Sequence, residues 1–262
     1  MQPAEMELLA RSADGVMIHA EVTGTGRRAL LFAHGWLGSG RWWDAQRDAF
    51  ASEYTVVQID LAGHGASGGE RTAWSIDAYA CDLEAVAARV DAEEMVLVGH
   101  SMSGAVVTVA CPRIARVKRV VLVDTLKNLD QPMWFEQAKP MLDLYRKDFT
   151  NAVHTVLPKF LYAAETPPEI IARLNGEFLR SSGERAAQLL EPLYRCDLQQ
   201  AARAVKVPVR AINSDAPPTA LEGNRRWFAD YDIEVMRGVG HYPMLEQPAA
   251  FNEALRRVLA SC

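Results

Sequence analysis

Ser101 lies in Gly99-His100-Ser101-Met102-Ser103-Gly104, directly after the apolar run Met95–Val98 and directly before a helical pattern of small residues. A chain that turns sharply from strand to helix through a serine strains its backbone there and lifts the hydroxyl clear of the sheet at the strands' carboxyl ends. The flanking positions must then be small, and Gly99 and Ser103 both qualify, although Ser103 stands where glycine is commoner. The N–H of Met102 would point to where an oxyanion forms, so the arrangement suits nucleophilic attack on a carbonyl. An ordinary turn with Ser101 as helix N-cap would use the same residues, so the partners decide.

A serine hydroxyl needs a base, and the base needs an orienting acid. Of six histidines, His19 falls in an early hairpin and His154 in a helical stretch, while His100 points away from the serine along its turn. His34 and His64 occupy glycine-flanked loops and suit backbone hydrogen bonds near the site. His241, in Gly238-Val239-Gly240-His241-Tyr242-Pro243, follows the last strand pattern and precedes the last helix, so its loop reaches the sheet edge that carries Ser101. Two acids end strands between these positions: Asp124 after Val120–Val123, and Asp215 after Val209–Ile212. Asp215 is favoured, because its strand should neighbour the one leading to His241; Asp124 has the alternative task of capping the next loop.

The elements that must hold these residues read as short apolar strands alternating with helices. Glu7–Arg11 and Val16–Val22 flank Asp14-Gly15 as a hairpin. Strands at Ala29–Ala33, Val56–Asp60, Met95–Val98 and Val120–Val123 follow, with helices near Trp42–Ser52, from Ser75 to about Val90, and after Ser101. From Gln131 to Val205 the pattern is helical and rich in Met, Phe, Trp and Tyr. It resumes with Val207–Ile212, a helix at Leu221–Phe228, the strand Ile233–Met236 and a helix at Ala249–Leu259. Strands apolar at nearly every position belong to a mostly parallel sheet flanked by helices. The expected organisation is an α/β core of residues 1–130 and 206–262 with a helical insertion at 131–205.

Composition narrows the partners. The chain has 262 residues, 49% hydrophobic and 23% charged, with a formal charge of -5, and lacks the basic excess of a nucleic-acid binder. Neither a leader pattern at the N-terminus nor a long apolar span is visible, so a cytoplasmic location and no membrane association are expected. Cys81, Cys111, Cys196 and Cys262 form no CxxC pair and are expected to be reduced, mostly buried thiols. Gly63-His64-Gly65-Ala66-Ser67-Gly68 matches GxGxxG after a strand, but Glu70–Trp74 intervenes before the helix, so no dinucleotide cofactor is expected. No metal-ligand spacing is recognisable either.

Over nearly its whole length the chain resembles the α/β-hydrolase superfamily. The resemblance is carried, in chain order, by His34-Gly35-Trp36-Leu37-Gly38, Asp60-Leu61-Ala62-Gly63-His64-Gly65-Ala66-Ser67, the Ser101 turn, and Gly238–Pro248. It implies that the backbone N–H of Trp36 joins that of Met102 as an oxyanion hole, that residues 131–205 form a cap over the pocket, and that the Asp60 loop is structural. Asn213-Ser214-Asp215-Ala216-Pro217-Pro218 departs from the commoner glycine-containing acid turn. The expected activity is hydrolysis of a small to medium carboxylic ester with an apolar portion through an acyl-enzyme on Ser101, with His241 as base and Asp215 as acid. Serine at the turn argues against dehalogenases and epoxide hydrolases of this fold. Carbon–carbon bond hydrolysis, peracid formation and slow-turnover ligand reception remain the alternatives.

Overall fold

The computed structural model describes residues 5–260, which leaves Cys262 and the first residues of the N-terminus outside the described residues. Strands β1 (Glu5–Arg11) and β2 (Met17–Thr23) form the hairpin around Gly15, whose φ of 92° suits glycine. Then come β3 (Arg28–Ala33), a 3₁₀ turn at Gly40–Trp43, α1 (Asp44–Phe50) and β4 (Thr55–Ile59). Helix α2 (Ile76–Ala87) starts at Ser75, whose side chain accepts from the Ala78 N–H. β5 (Glu94–His100) runs into α3 (Met102–Ala110), and β6 (Val117–Val123) follows.

Five helices come next: α4 (Phe135–Asn151), α5 (Pro158–Leu161), α6 (Pro168–Phe178), α7 (Gly183–Arg195) and α8 (Leu198–Ala204). The sheet resumes with β7 (Val209–Ser214), α9 (Leu221–Arg225), β8 (Tyr231–Met236), α10 (Pro243–Glu246) and α11 (Pro248–Ala260). β7 begins two residues later than its apolar run, because Pro208 has no N–H for the ladder and offers only its carbonyl, to Val120.

The sheet has eight strands in the order β1-β2-β4-β3-β5-β6-β7-β8. β1 and β2 are antiparallel to their neighbours, and every pairing from β4 onward is parallel. β5 is therefore central, and its Gly99 and His100 pair with Leu122 and Val123 of β6. Helix α3 can lie buried against the sheet because it is built from Ser, Gly, Ala, Val and Thr after Met102. Trp42, Trp43, Phe32, Phe50 and Phe251 fill the core beside β3. Burial of such side chains stabilises by roughly 1.5–3 kcal/mol each, so the frame that holds the loops is rigid. Among the described residues no helix is long and apolar enough to cross a membrane.

Candidate active site

At the end of β5 the chain reverses at Ser101 with φ 54° and ψ −121°, a conformation that a non-glycine residue adopts only under constraint. The constraint is visible on both sides. The Ser101 N–H donates to Val123 O at 3.0 Å, and its carbonyl accepts from Gly104 N at 2.9 Å and from Thr125 Oγ1 at 2.7 Å. A Cβ on Gly99 would stand 2.4 Å from the Ser103 carbonyl oxygen, and one on Gly104 2.3 Å from Thr125 Cγ2, so neither position accepts a side chain. The hydroxyl of Ser103 donates to the His34 carbonyl and ties the turn to the loop after β3, which accounts for serine where glycine is commoner. Ser101 itself caps nothing, which leaves its hydroxyl available.

That hydroxyl meets His241. The Oγ of Ser101 lies 2.8 Å from His241 Nε2, and His241 Nδ1 lies 2.7 Å from Oδ2 of Asp124. Asp215 is not brought to the histidine. It is exposed one residue beyond β7, and the expectation that it orients His241 is corrected in favour of Asp124. The reason lies in how the two strands end. Asp124 still pairs with β7, its N–H donating to Ile212 O at 3.0 Å, and then turns at φ 43° so that its carboxylate faces the His241 ring. The Ser214 N–H, one residue before Asp215, donates to Asp124 Oδ1 at 2.7 Å, so the end of β7 supports the carboxylate instead of supplying it.

Lys127, missed in the sequence, completes this arrangement. Its Nζ is 2.8 Å from Asp124 Oδ1 and also donates to Ser214 Oγ at 2.8 Å and to the carbonyls of Ser214 and Ala216, each at 3.2 Å. Burial alone would raise the Asp124 carboxyl. The bonds and charges of His241 and Lys127 outweigh it and hold the group well below the ordinary carboxylate range. An ionised Asp124 is acceptor only, so Nδ1 of His241 carries the proton and Nε2 is left to accept from the serine hydroxyl.

The His241 loop is held from three directions. Its own N–H donates to the Leu161 carbonyl at 2.8 Å, and His100 Nε2 donates to the His241 carbonyl at 2.7 Å. Burial drives the His100 ring down to about 3, so it stays neutral. Glu246 accepts from Gly240 N at 2.8 Å, Tyr242 N at 3.0 Å and Thr166 Oγ1 at 2.7 Å, which joins the loop to the segment before α6. Periodicity could not single out Glu246, because a carboxylate in a single helical turn reads as an ordinary exposed acid.

The loop after β3 lies against the serine. A Cβ on Gly35 would be 3.1 Å from Ser101 Cβ and 2.6 Å from His100 Nδ1, so only glycine permits this approach. It brings the backbone of Gly35, the residue before Trp36, against Ser101, and Met102 opens α3 directly after the serine. The Trp36 ring stacks on Tyr145 at 5.4 Å and Phe178 at 5.9 Å, meets Phe149 edge-on, and donates Nε1–H to Ala186 O at 2.7 Å. Below, Asp60 accepts from Gly40 N at 2.7 Å and Ala66 N at 2.8 Å, and His34 Nε2 accepts from Leu61 N at 3.1 Å. The Gly63–Gly68 segment closes on itself through Gly63 N to Gly68 O at 2.8 Å, well ahead of α2.

The alpha/beta hydrolase family profile matches residues 30–254. A pimeloyl-[acyl-carrier protein] methyl ester esterase of Nitrosomonas europaea is 26% identical over 248 residues, covering 89% of this chain and 96% of that one. Among solved structures, an esterase from Thermogutta terrifontis with malate bound superposes with a TM-score of 0.81 at 24% identity, covering 97% of this chain and 98% of that one. An esterase from Rhodococcus sp. ECU1013 gives 0.80 at 22% identity, with coverage of 97% and 98%. With a family match over most of its length, the chain belongs to the alpha/beta hydrolase family and is a hydrolase.

Proposed function

We propose that this hydrolase cleaves small to medium carboxylic esters with an apolar acyl or aryl portion, through an acyl-enzyme on Ser101. The observation that carries the reading is the line of two hydrogen bonds, Ser101 Oγ to His241 Nε2 at 2.8 Å and His241 Nδ1 to Asp124 at 2.7 Å. Ser101 Oγ attacks the ester carbonyl while its proton passes to His241 Nε2. Asp124 stabilises the resulting imidazolium. The N–H groups of Trp36 and Met102 receive the oxyanion, and the collapsing intermediate expels the alkoxide, which takes the proton from His241. Water then gives its proton to His241 and attacks the acyl-enzyme, releasing the acid and restoring Ser101. Residues 131–205 serve as the cap: Tyr145, Phe149 and Phe178 set an aromatic surface against Trp36, which favours an apolar substrate portion. The free thiols of Cys81, Cys111 and Cys196 fit a reducing, cytoplasmic setting.

A fluorophosphonate probe should label the wild type at Ser101, and an aryl acetate should be turned over repeatedly. Ser101→Ala should lose both. Unchanged turnover in Ser101→Ala would refute the reading, as would a wild type that resists the probe; labelling with a single turnover would favour ligand reception.

A further inference from the structure

Helices α6 and α7 face the loops after β3 and β4 across an open cleft of about 760 Å³. That size falls within the range of small-molecule sites. Its lining includes Arg41, Arg173, Arg180, Arg185, Glu177 and His64. The charges there do not balance. Glu177 is already satisfied, one oxygen accepting from Arg173 Nε at 2.9 Å and the other from Trp42 Nε1 at 2.7 Å. Arg185 is held by neutral groups, Gln188 Oε1 at 2.8 Å and Gly69 O at 3.0 Å, with its guanidinium 4.5 Å over the Trp74 ring. The side chains of Arg41 and Arg180 make no ion pair or hydrogen bond among the described residues. Three guanidinium groups that no carboxylate holds in a close ion pair thus line one concavity in a chain whose formal charge is -5, and Arg41 alone has an acid, Glu21, near it in the adjoining cavity. Like charges gathered this way repel one another unless an anion lies between them.

The walls are shaped for this as well. A Cβ on Gly63, where φ is 78°, would stand 2.6 Å from Arg185 Nη2, and one on Gly69 2.8 Å from the same atom, so the glycines make room for the guanidinium. His64 adds a second, independent feature. Its side chain is buried, Nδ1 donates to Ala62 O at 3.0 Å, and Nε2 has no partner. Burial keeps the ring neutral, so beneath the cleft floor His64 adds no positive charge of its own and Nε2 is an acceptor sealed from solvent.

We propose that this cleft binds a small multivalent oxyanion, of the phosphate or polycarboxylate kind, gripped by Arg41, Arg180 and Arg185. Guanidinium groups suit such ligands because their paired N–H donors match two oxygens at once. The inference goes beyond ester hydrolysis, and its test does not depend on turnover.

Pyrophosphate and citrate are titrated calorimetrically into the full-length protein at low salt, the two probes separating a phosphate source from a carboxylate one. Saturable binding of at least one, with Kd below about 1 mM, is expected. The double variant Arg41→Glu/Arg180→Glu should weaken it by about tenfold or more, whereas Lys118→Glu, a charge reversal at an exposed position of β6, should leave it unchanged. All variants should melt within a few degrees of the wild type, which reports that they fold. Absence of saturable binding for both anions would overturn the proposal, and so would equal weakening by Lys118→Glu. A protein that binds the anion but hydrolyses no ester would refute the proposed function alone.

Discussion

Replacing Asp124 by Asn tests the site most directly, because the structure dictates which way the amide must face. The Asp124 carboxylate is surrounded by donors: His241 Nδ1 on one oxygen, and Lys127 Nζ and the Ser214 N–H on the other. An Asn must set its NH₂ against one side. Facing the Lys127 ammonium and the Ser214 amide, it would oppose two fixed donors. Facing His241, it opposes one imidazole that can move its proton from Nδ1 to Nε2. The second arrangement costs less, and it leaves Nε2 carrying a hydrogen toward Ser101 Oγ, where a lone pair is needed. Loss of the correct tautomer costs about 10⁴-fold in kcat, which is about 5.4 kcal/mol of transition-state stabilisation. The assay is kcat and kcat/KM for an aryl acetate, with thermal melting to show that the variant is folded. Asp215→Asn, at an exposed position, should stay within about twofold of wild type, as surface substitutions away from structural features do. If Asp215→Asn lost activity on that scale while Asp124→Asn kept it, the reasoning would be refuted.

Lys127→Met should lower kcat, because the Asp124 carboxylate loses the ammonium that ties it to the end of β7; an unchanged kcat in a folded variant would deny Lys127 this positioning part. His34, His64 and His100 are all lowered below the ordinary histidine range by burial. A depressed group contributes stability above its unfolded value and loses it as pH falls toward the folded one. Urea unfolding should therefore show stability dropping below about pH 6.5, by up to about 1.4 kcal/mol per pH unit for each of these rings. His64→Gln should flatten that slope by one proton, and an unchanged slope would show that His64 does not contribute. Phe178→Ala removes a fully buried ring from the Trp36 stack and should cost about 3–5 kcal/mol by chemical denaturation; a cost below about 1 kcal/mol would mean that the stack is not load-sharing.

The Ser101 turn was legible because its demand is local: a strand, small flanking residues and a helix occupy consecutive positions, and Gly99 and Gly104 sit where a Cβ would collide. His241 was legible for a similar reason, since the loop after a sheet's last strand must open onto the edge that carries Ser101. The acid was not. Strand adjacency predicts that Asp124 and Asp215 both lie near His241, and they end neighbouring strands. The choice depends on whether each chain bends inward or outward after its last ladder bond, and this is decided by contacts from Ser214 and Lys127 that leave no period in the sequence. Glu246 and Thr166 escaped notice for the same reason, because their bond spans 80 positions. The strands of the parallel sheet, apolar almost throughout, announced themselves; β6 and β8 start three and two residues earlier than their apolar runs, where Lys118, Arg119 and Asp232 interrupt the pattern, and β7 starts two later, at a proline that cannot donate.

The Leu161 carbonyl that receives the His241 N–H has a bearing on how the molecule comes into being during synthesis. Ser101 and its strained turn draw their backbone contacts from β3, β5 and β6, since the bonds to Val123, Gly104, Thr125 and the His34 carbonyl all come from residues up to Thr125. The base is different. His241 is fixed only when the α5 segment and the Glu246 helix are both in place, one from the middle of the chain and one from near its end. A nascent chain that has emerged only as far as β6 holds every residue of the serine turn and no partner able to take its proton. Reactivity is then withheld until the chain has grown through His241 and Glu246, and a shorter one carries an inert hydroxyl.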